Sequence, residues 1–511
     1  MAPSKLVLCV IDAMSPAMLE RAVAEGQAPI LGGLMERGLF VRDCIAAFPS
    51  VTPVCAASIT TGAAQDAHRI PGMNWYSREE ERYIEYGSSF RAAQRAGITR
   101  QLTDTVYNMN RAHLSAGLAT VFESLDDAGV RTAGTTYLIY RGRHRHEPQR
   151  DTALLRLAAA LLRHPVMGPR ELFYADIFAS QPTGCRSTLG MPGVRDQHAG
   201  CVATYLLEHD LFDFLLLSLP DNDWHSHRHG PDAQVWSIGQ ADAQLARIVA
   251  AAGGLDAFLA DHAVIAMADH SQASISASCS LQEELSELDV LSPGRQARSS
   301  SGARPRVAVC PSARAAMVYA LERPERDALR ALTVRHALAL ESVDLVMWLE
   351  RDSHDAPSEG AIRSRDHGEL RFAPGGPVTD PRGATWSVEG ELGVIEGRVR
   401  EGCLLSPLYP DALSRVWSAL TCPTSGDVLL SAAAGWEFSD WGGQAHVGGG
   451  SHGSLHAADS LGALVVCGAQ TPAPEPPQWA IRDVAGTVLA HFGLGGAAAG
   501  ARPARPPLPS R

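Results

Sequence analysis

No run approaches the roughly 18 consecutive apolar residues that a membrane span requires, so a bilayer-spanning chain is not expected. A basic excess is also missing, because 44 Lys and Arg face 56 Asp and Glu for a formal net charge of −12. Proteins that grip nucleic-acid phosphates are usually basic over a long patch. The one short basic run, RGRHRHEPQR from Arg141 to Arg150, reads as solvated surface, and no nucleic-acid partner is expected. The 10 cysteines contain no Cys-x-x-Cys pair, which argues against a disulfide framework and for a reducing cytoplasm, with most cysteines acting as small buried apolar residues. The apolar run from Leu6 stops at Asp12 before any small-residue cleavage site, so it reads as a first core strand and not as a secretory leader. No internal repeat is evident.

The 511 residues, 45% apolar and 20% charged, suit a globular chain of about three domains' worth of length, neither disordered nor fibrous. Short Val, Ile and Leu-rich runs (residues 6–12, 212–220, 263–270 and 461–468) alternate with helical patterns at 16–25, 118–128, 151–163 and 235–252. Continuous apolar strands separated by helices predict an α/β fold with a mostly parallel sheet covered on both faces. From about Cys279 to Cys422 the character changes: a Ser, Gly and Arg-rich stretch precedes a strand and helix pattern and a Gly and Pro-rich segment. The expected organisation is a catalytic core from residues 1–280, an inserted cap from 281–420, a return to the core over 421–495 and a flexible tail over 496–511.

Three of the four apolar runs end in groups suited to chemistry: Asp12, the PDNDWHSHRHGP segment with Asp223 and His227, and the Asp269-His270 pair. In open α/β sheets ligands bind beyond the carboxyl ends of the strands. Thr52, in FPSVTPVCAASITTG, and His452, in GGGSHGSLH, complete a set of three carboxylates, three imidazoles and one hydroxyl. Mixed oxygen and imidazole donors suit Zn²⁺, with Mn²⁺ or Fe²⁺ as alternatives, and the set is large enough for two ions. The charge of two divalent ions balances three carboxylates plus a deprotonated Thr52, leaving a nearly neutral site that an anionic phosphodiester can enter. A threonine hydroxyl is a weak nucleophile unless a base or metal favours its alkoxide. No Ser-His-Asp elbow surrounds Thr52, so the metal is given that part.

The order Asp12, Phe48-Pro-Ser-x-Thr52, Asp223-x-x-x-His227-x-x-Gly-Pro, Asp269-His270 and His452-Gly resembles the nucleotide pyrophosphatase/phosphodiesterase family of the alkaline phosphatase superfamily. The likeness runs over residues 5–280 and 420–495. It implies an alkaline-phosphatase-like core in which Asp12, Thr52, Asp269 and His270 surround one metal ion and Asp223, His227 and His452 hold the other. It further implies that Thr52 is transiently phosphorylated or nucleotidylated, and that Asn74 donates its amide to the phosphoryl oxygen. The expected activity is hydrolysis of a small phosphodiester or nucleotide pyrophosphate. A phosphonate or phosphomonoester hydrolase or phosphotransferase of the same superfamily is the alternative, and a non-catalytic metal-binding homologue is a third reading.

Two registers compete within these motifs. Asp221 with His225 also spells Asp-x-x-x-His, but only Asp223 with His227 is followed by two residues and then Gly230-Pro231. His456 competes with His452, of which only His452 is followed by glycine. The segment from Thr52 lacks the Cys-x-Pro-x-Arg pattern of sulfatases, and no nearby Arg is available to clamp a dianionic monoester, which leans toward a diester or pyrophosphate. Taken singly, each group has a plainer reading. Asp12 caps a helix, Thr52 starts one, the His-rich run is a solvated loop, and Asn74 sits in a turn. Cys55 is expected to pack beneath Thr52. Arg141, Arg143 and His144 read as surface charge, and Trp75 and Tyr76 as core or rim packing.

Overall fold

The computed structural model describes residues 3–149, 162–187, 193–294, 304–350, 359–471 and 476–495. Most of the helix expected over 151–163, and all of the tail 496–511, lie outside the described residues.

An eight-stranded sheet forms the centre, in the order Leu39–Ile45, Leu461–Cys467, His262–Met267, Lys5–Ile11, Phe214–Leu219, Thr132–Gly134, Glu171–Tyr174 and Phe178–Ala179. The five strands from His262–Met267 to Glu171–Tyr174 run parallel, and those outside them are antiparallel to their neighbours. The four apolar runs become strands here because residues on both faces are covered. Along Lys5–Ile11, Leu6, Leu8 and Val10 enter one core while Val7, Cys9 and Ile11 enter the other. That split follows from the alternation of side chains along a strand. Helices Pro16–Ala24, Pro29–Arg37, Asp196–Glu208 and Gln234–Ala251 cover the second face, through residues such as Leu19, Leu31, Val202 and Ile238. Helices Thr52–Thr61, Val121–Asp127 and Asp483–His491 cover the first through Ile59, Phe122 and Val488.

A second, nine-stranded sheet fills the inserted region. Its strands include Val307–Ser312, Ala315–Ala320, Val343–Glu350, Glu359–Ser364 and the long Gly368–Thr379, paired antiparallel except where Gly368–Thr379 meets Cys403–Leu405 in parallel. The strand Val428–Ala432 lies between Ala315–Ala320 and Val343–Glu350, so this sheet draws on chain beyond residue 420, and position 420 itself falls inside helix Ala412–Thr421. Its inner side chains Met317, Leu345 and Ile362 belong to the same hydrophobic cluster as Leu6 and Phe214, so the two sheets share one continuous core.

Eight of the cysteines are unpaired, and seven of these are buried. Cys185 and Cys201 form a disulfide that ties the segment before helix Asp196–Glu208 to the helix itself. No single helix among the described residues is long and apolar enough to cross a membrane.

Candidate metal centre and nucleophile

Three neighbouring parallel strands deliver their carboxyl ends to one place. Asp12 follows Lys5–Ile11, helix Asp221–His229 follows Phe214–Leu219, and Asp269 and His270 follow His262–Met267. The His-rich run, open to a loop reading from its polarity, is a helix, which sets Asp223 and His227 one turn apart on a common face. Asn222 donates from the same helix to the Asp12 carbonyl at 2.8 Å and fixes the two strand ends together. His452 arrives from the segment Gly450–Ser451, and the preceding glycines are required by contact. A Cβ at Gly449 would lie 2.0 Å from the His227 carbonyl oxygen.

Two ligand groups result. Asp223, His227 and His452 form one, and Asp12, Asp223 and His270 the other, with the ligand atoms of each group within 4.8 Å of one another. Asp223 therefore belongs to both. Its Oδ2 lies 3.2 Å from His227 Nε2, and its Oδ1 lies 3.7 Å from His452 Nε2. His270 Nε2 lies 3.5 Å from Asp12 Oδ1 and from Asp269 Oδ2, and 3.4 Å from Thr52 Oγ1. The His270 and His452 rings stack at 3.8 Å and join the two groups. Thr52 stands at the first turn of helix Thr52–Thr61, where Pro53 fits an N-terminal position and the helix dipole favours an anion.

The hydrogen bonds behind the site orient its imidazoles. Nδ1 of His227 donates to the Gly450 carbonyl at 2.8 Å, Nδ1 of His270 to Ser271 at 3.1 Å, and Nδ1 of His452 to Ser50 at 2.7 Å. Each Nε2 consequently turns a lone pair inward, toward carboxylates. Lone pair against carboxylate is repulsive without a cation or proton between them, and a backbone partner on the outer nitrogen is how proteins present metal-binding imidazoles. Two buried carboxylate oxygens, Asp12 Oδ1 and Asp269 Oδ2, have no hydrogen-bond partner among the described residues. Burial and the carboxylates of Asp269 and Asp223 push Asp12 well above the usual range. Burial pulls His227 down, but Asp223 outweighs it and holds the imidazole at about 8. Burial likewise raises Asp223, but the three imidazoles outweigh it and hold the carboxyl below its ordinary value. All of these features fit divalent cations among the seven residues.

Asn74 stands apart from this network. It is fully buried in the hairpin Asn74–Ser77/Arg82–Glu85, and its amide donates to the Pro311 carbonyl at 2.5 Å and to Ser88 Oγ at 3.2 Å, while its Oδ1 has no partner. The His225 ring packs at a tilt against those of His229 and Trp236, and His456 caps a short helix by accepting from the Ala458 amide, and neither enters a ligand group among the described residues. Cys55 is buried, as are Trp75 and Tyr76. Arg141 and Arg143 bind Glu123, and His144 faces Asp126. Sequence reasoning missed several supporting groups. Gln272 donates to the Asp223 carbonyl at 3.2 Å, and His446 stacks on His227 at 4.0 Å while its Nδ1 donates to the buried Glu437 at 2.8 Å. Neither Gln272 nor His446 lies in a recognisable motif; the nearness of Gln272 to Asp269-His270 was the one available signal.

A chain of this architecture is known from solved structures. Phosphonoacetate hydrolase from Sinorhizobium meliloti 1021, in complex with phosphonoformate, is 16% identical, with 96% of each chain covered and a TM-score of 0.54. An inactive variant of murine ectonucleotide pyrophosphatase/phosphodiesterase 5, in complex with AMP, is 11% identical, with 96% of this chain and 95% of that one covered and a TM-score of 0.55. These likenesses show the shared alkaline-phosphatase-like fold. A comparison with curated protein sequences found no significant match. The family profile described as type I phosphodiesterase / nucleotide pyrophosphatase matches residues 6–373, most of the chain, and on that match the protein belongs to the type I phosphodiesterase/nucleotide pyrophosphatase family.

Proposed function

We propose that the protein hydrolyses phosphodiester or nucleotide pyrophosphate bonds, with Thr52 as the nucleophile and two divalent cations, Zn²⁺ foremost, as cofactors. The observation that carries this reading is the pair of ligand groups sharing Asp223, with Thr52 Oγ1 beside His270. Asp12, Asp269, His270 and Thr52 would hold one ion, and Asp223, His227 and His452 the other, with Asp223 close to both. When bound, such ions supply Lewis acidity to the attacking, leaving and nonbridging oxygens of an in-line displacement. The chain supplies the rest. The N-terminus of helix Thr52–Thr61 attracts the phosphoryl group. Thr52 Oγ1 gives its proton to water and bonds to phosphorus as the bond to the leaving oxygen breaks. Water then cleaves the phosphothreonine ester and restores the hydroxyl.

A diester is favoured over a monoester because the buried arginine behind His452 is already engaged. Arg314 binds Asp459 and the carbonyls of Trp436 and Ala433. The ligands held by the two similar structures, AMP and phosphonoformate, both carry phosphorus oxyanions, in keeping with a small phosphorus-containing substrate. Asn74 serves the phosphoryl oxygen in this proposal only if its amide leaves the Pro311 carbonyl when substrate binds.

The test is a comparison of bis(4-nitrophenyl) phosphate, 4-nitrophenyl phosphate and an aryl phosphonate on metal-reconstituted protein. The expected result is fastest turnover of the diester, with kcat reduced about 10³-fold or more in Thr52→Ala. Preference for the monoester or phosphonate would assign the alternative activity. Full metal occupancy without turnover on any of the three would assign a binding role.

A further inference from the structure

The candidate nucleophile and the last candidate ligand border two loops whose outer ends are joined by the central sheet, where Ile45 pairs with Leu461 and the Ala46 amide donates to the Ser460 carbonyl at 2.7 Å. Thr52 follows the loop Ala46–Val51, and His452 opens the loop His452–His456. The loops are laced directly: the Gly453 amide donates to Ser50 Oγ at 3.0 Å, Ser50 Oγ donates to the Ser454 carbonyl at 3.2 Å, and His452 Nδ1 donates to the Ser50 carbonyl. Behind this lacing lies Arg415, on helix Ala412–Thr421, only 5% exposed.

The bonding of Arg415 is unusual for a buried cation, since among the described residues it forms no ion pair. Its guanidinium donates to the carbonyls of Ala47 and Leu455 at 3.0 Å each, to the Pro410 carbonyl at 3.1 Å and to Ser460 Oγ at 2.6 Å. Burying a charge without a counter-ion is costly and persists where the surrounding structure needs its hydrogen bonds. Here two of the four acceptors, Ala47 and Leu455, belong one to each loop, five residues before Thr52 and three after His452. A second tether descends from the same helix. Ser418 Oγ donates to Gln65 Oε1 at 3.2 Å, and the Gln65 amide donates to the Phe48 carbonyl. Arginine suits this task because its planar fork reaches several carbonyls in fixed directions, whereas the lysine ammonium is a flexible point charge.

We propose that Arg415 is a positioning residue that holds the Thr52 loop against the His452 loop and thereby sets the spacing between the two ligand groups. This rests on the two-ion reading above. Helix Ala412–Thr421, which carries Arg415, precedes the strand Val428–Ala432 of the second sheet. The role concerns the fit of the second ion and the aim of Thr52, and Arg415 touches no substrate.

The experiment is calorimetric titration of metal-free protein with Zn²⁺, for wild type, Arg415→Lys, Arg415→Met and Ser460→Ala, with melting curves recorded on the same samples before metal is added. Wild type should take up two equivalents. Arg415→Lys and Arg415→Met should bind the second equivalent about 10- to 100-fold more weakly, the range seen when groups that orient metal ligands are removed. Their kcat on the nitrophenyl diester should fall by a similar factor with KM little changed, and excess Zn²⁺ should restore part of it. Ser460→Ala, which removes one acceptor and leaves the cation, should show a smaller loss in the same direction. Unchanged binding of the second equivalent in the Arg415 variants overturns the role. If those variants melt before metal is added, Ser460→Ala decides: a weakened second equivalent supports the role and an unchanged one overturns it. A wild type that takes up no paired ions overturns the two-ion reading and the spacing role together, a result distinct from variants that match a two-ion wild type.

Discussion

Asp223 is the residue on which the candidate site turns, because its carboxylate faces His227 and His452 from one group and shares the other with Asp12 and His270. Its replacement should therefore do more harm than loss of any one imidazole. Asp223→Asn is expected to weaken uptake of both metal equivalents by about 100-fold or more, whereas His452→Ala weakens one, each read by metal analysis after dialysis. The sequence made most of these candidate ligands legible because each sits at a strand end or beside a glycine that permits close approach. The orienting groups were not legible. His446 reaches His227 through ring stacking, and Arg415 reaches the two loops through carbonyl oxygens, and backbone acceptors leave no trace in side-chain identity. Asn74 shows the opposite limit: the resemblance implies that its amide serves a phosphoryl oxygen, yet that amide is held by Pro311 and Ser88.

Among the elements, helix Pro29–Arg37 begins after Ala28, which offers no side-chain cap. Asp242, on the packed helix Gln234–Ala251, supplies it by accepting from the amides of Leu31 at 2.7 Å and Ile30 at 3.2 Å. Burial nevertheless dominates and raises the Asp242 carboxyl from 3.8 to about 6. A raised acid stabilises the fold fully below its ordinary value, and that contribution is lost as pH rises through about 6. Asp242→Asn should accordingly flatten part of the decline in stability between pH 4 and pH 6.5, by on the order of 1 to 3 kcal/mol in urea melts compared with wild type. The parallel strands were readable because burial on both faces demands unbroken apolar runs. Helix Asp221–His229 was not, because its sequence DNDWHSHRH carries almost no apolar periodicity and its conformation is fixed by what it packs against. The inserted strands beyond residue 359 were only partly legible, since half-exposed antiparallel strands mix polar and apolar residues.

Across the whole molecule, the two sheets share a hydrophobic cluster in which Met317 from the inserted sheet lies with Leu6 and Phe214 from the central one. Unfolding of the described core is expected as a single calorimetric transition. Met317→Ala, at a site 1% exposed, should lower that transition by about 2 to 5 kcal/mol in stability without splitting it. Two separate transitions would show that the sheets unfold independently. The insertion reads from composition as an attached cap because shared burial between distant strands leaves no local signal.

The order in which the chain emerges during synthesis gives the position of His452 one more meaning. Asp12, Thr52, Asp223, His227, Asp269 and His270 all leave the ribosome before the strands Val307–Ser312 to Gly368–Thr379 of the inserted sheet are made, while Arg415, that sheet's own strand Val428–Ala432 and His452 come after them. A nascent polypeptide thus carries six of the seven candidate ligands through a long stretch of translation with neither the imidazole of His452 nor the guanidinium of Arg415. On the proposed two-ion reading, a product that stops before His452 is expected to hold one metal equivalent fewer and to leave the nitrophenyl diester intact, read by metal analysis and assay of the truncated protein.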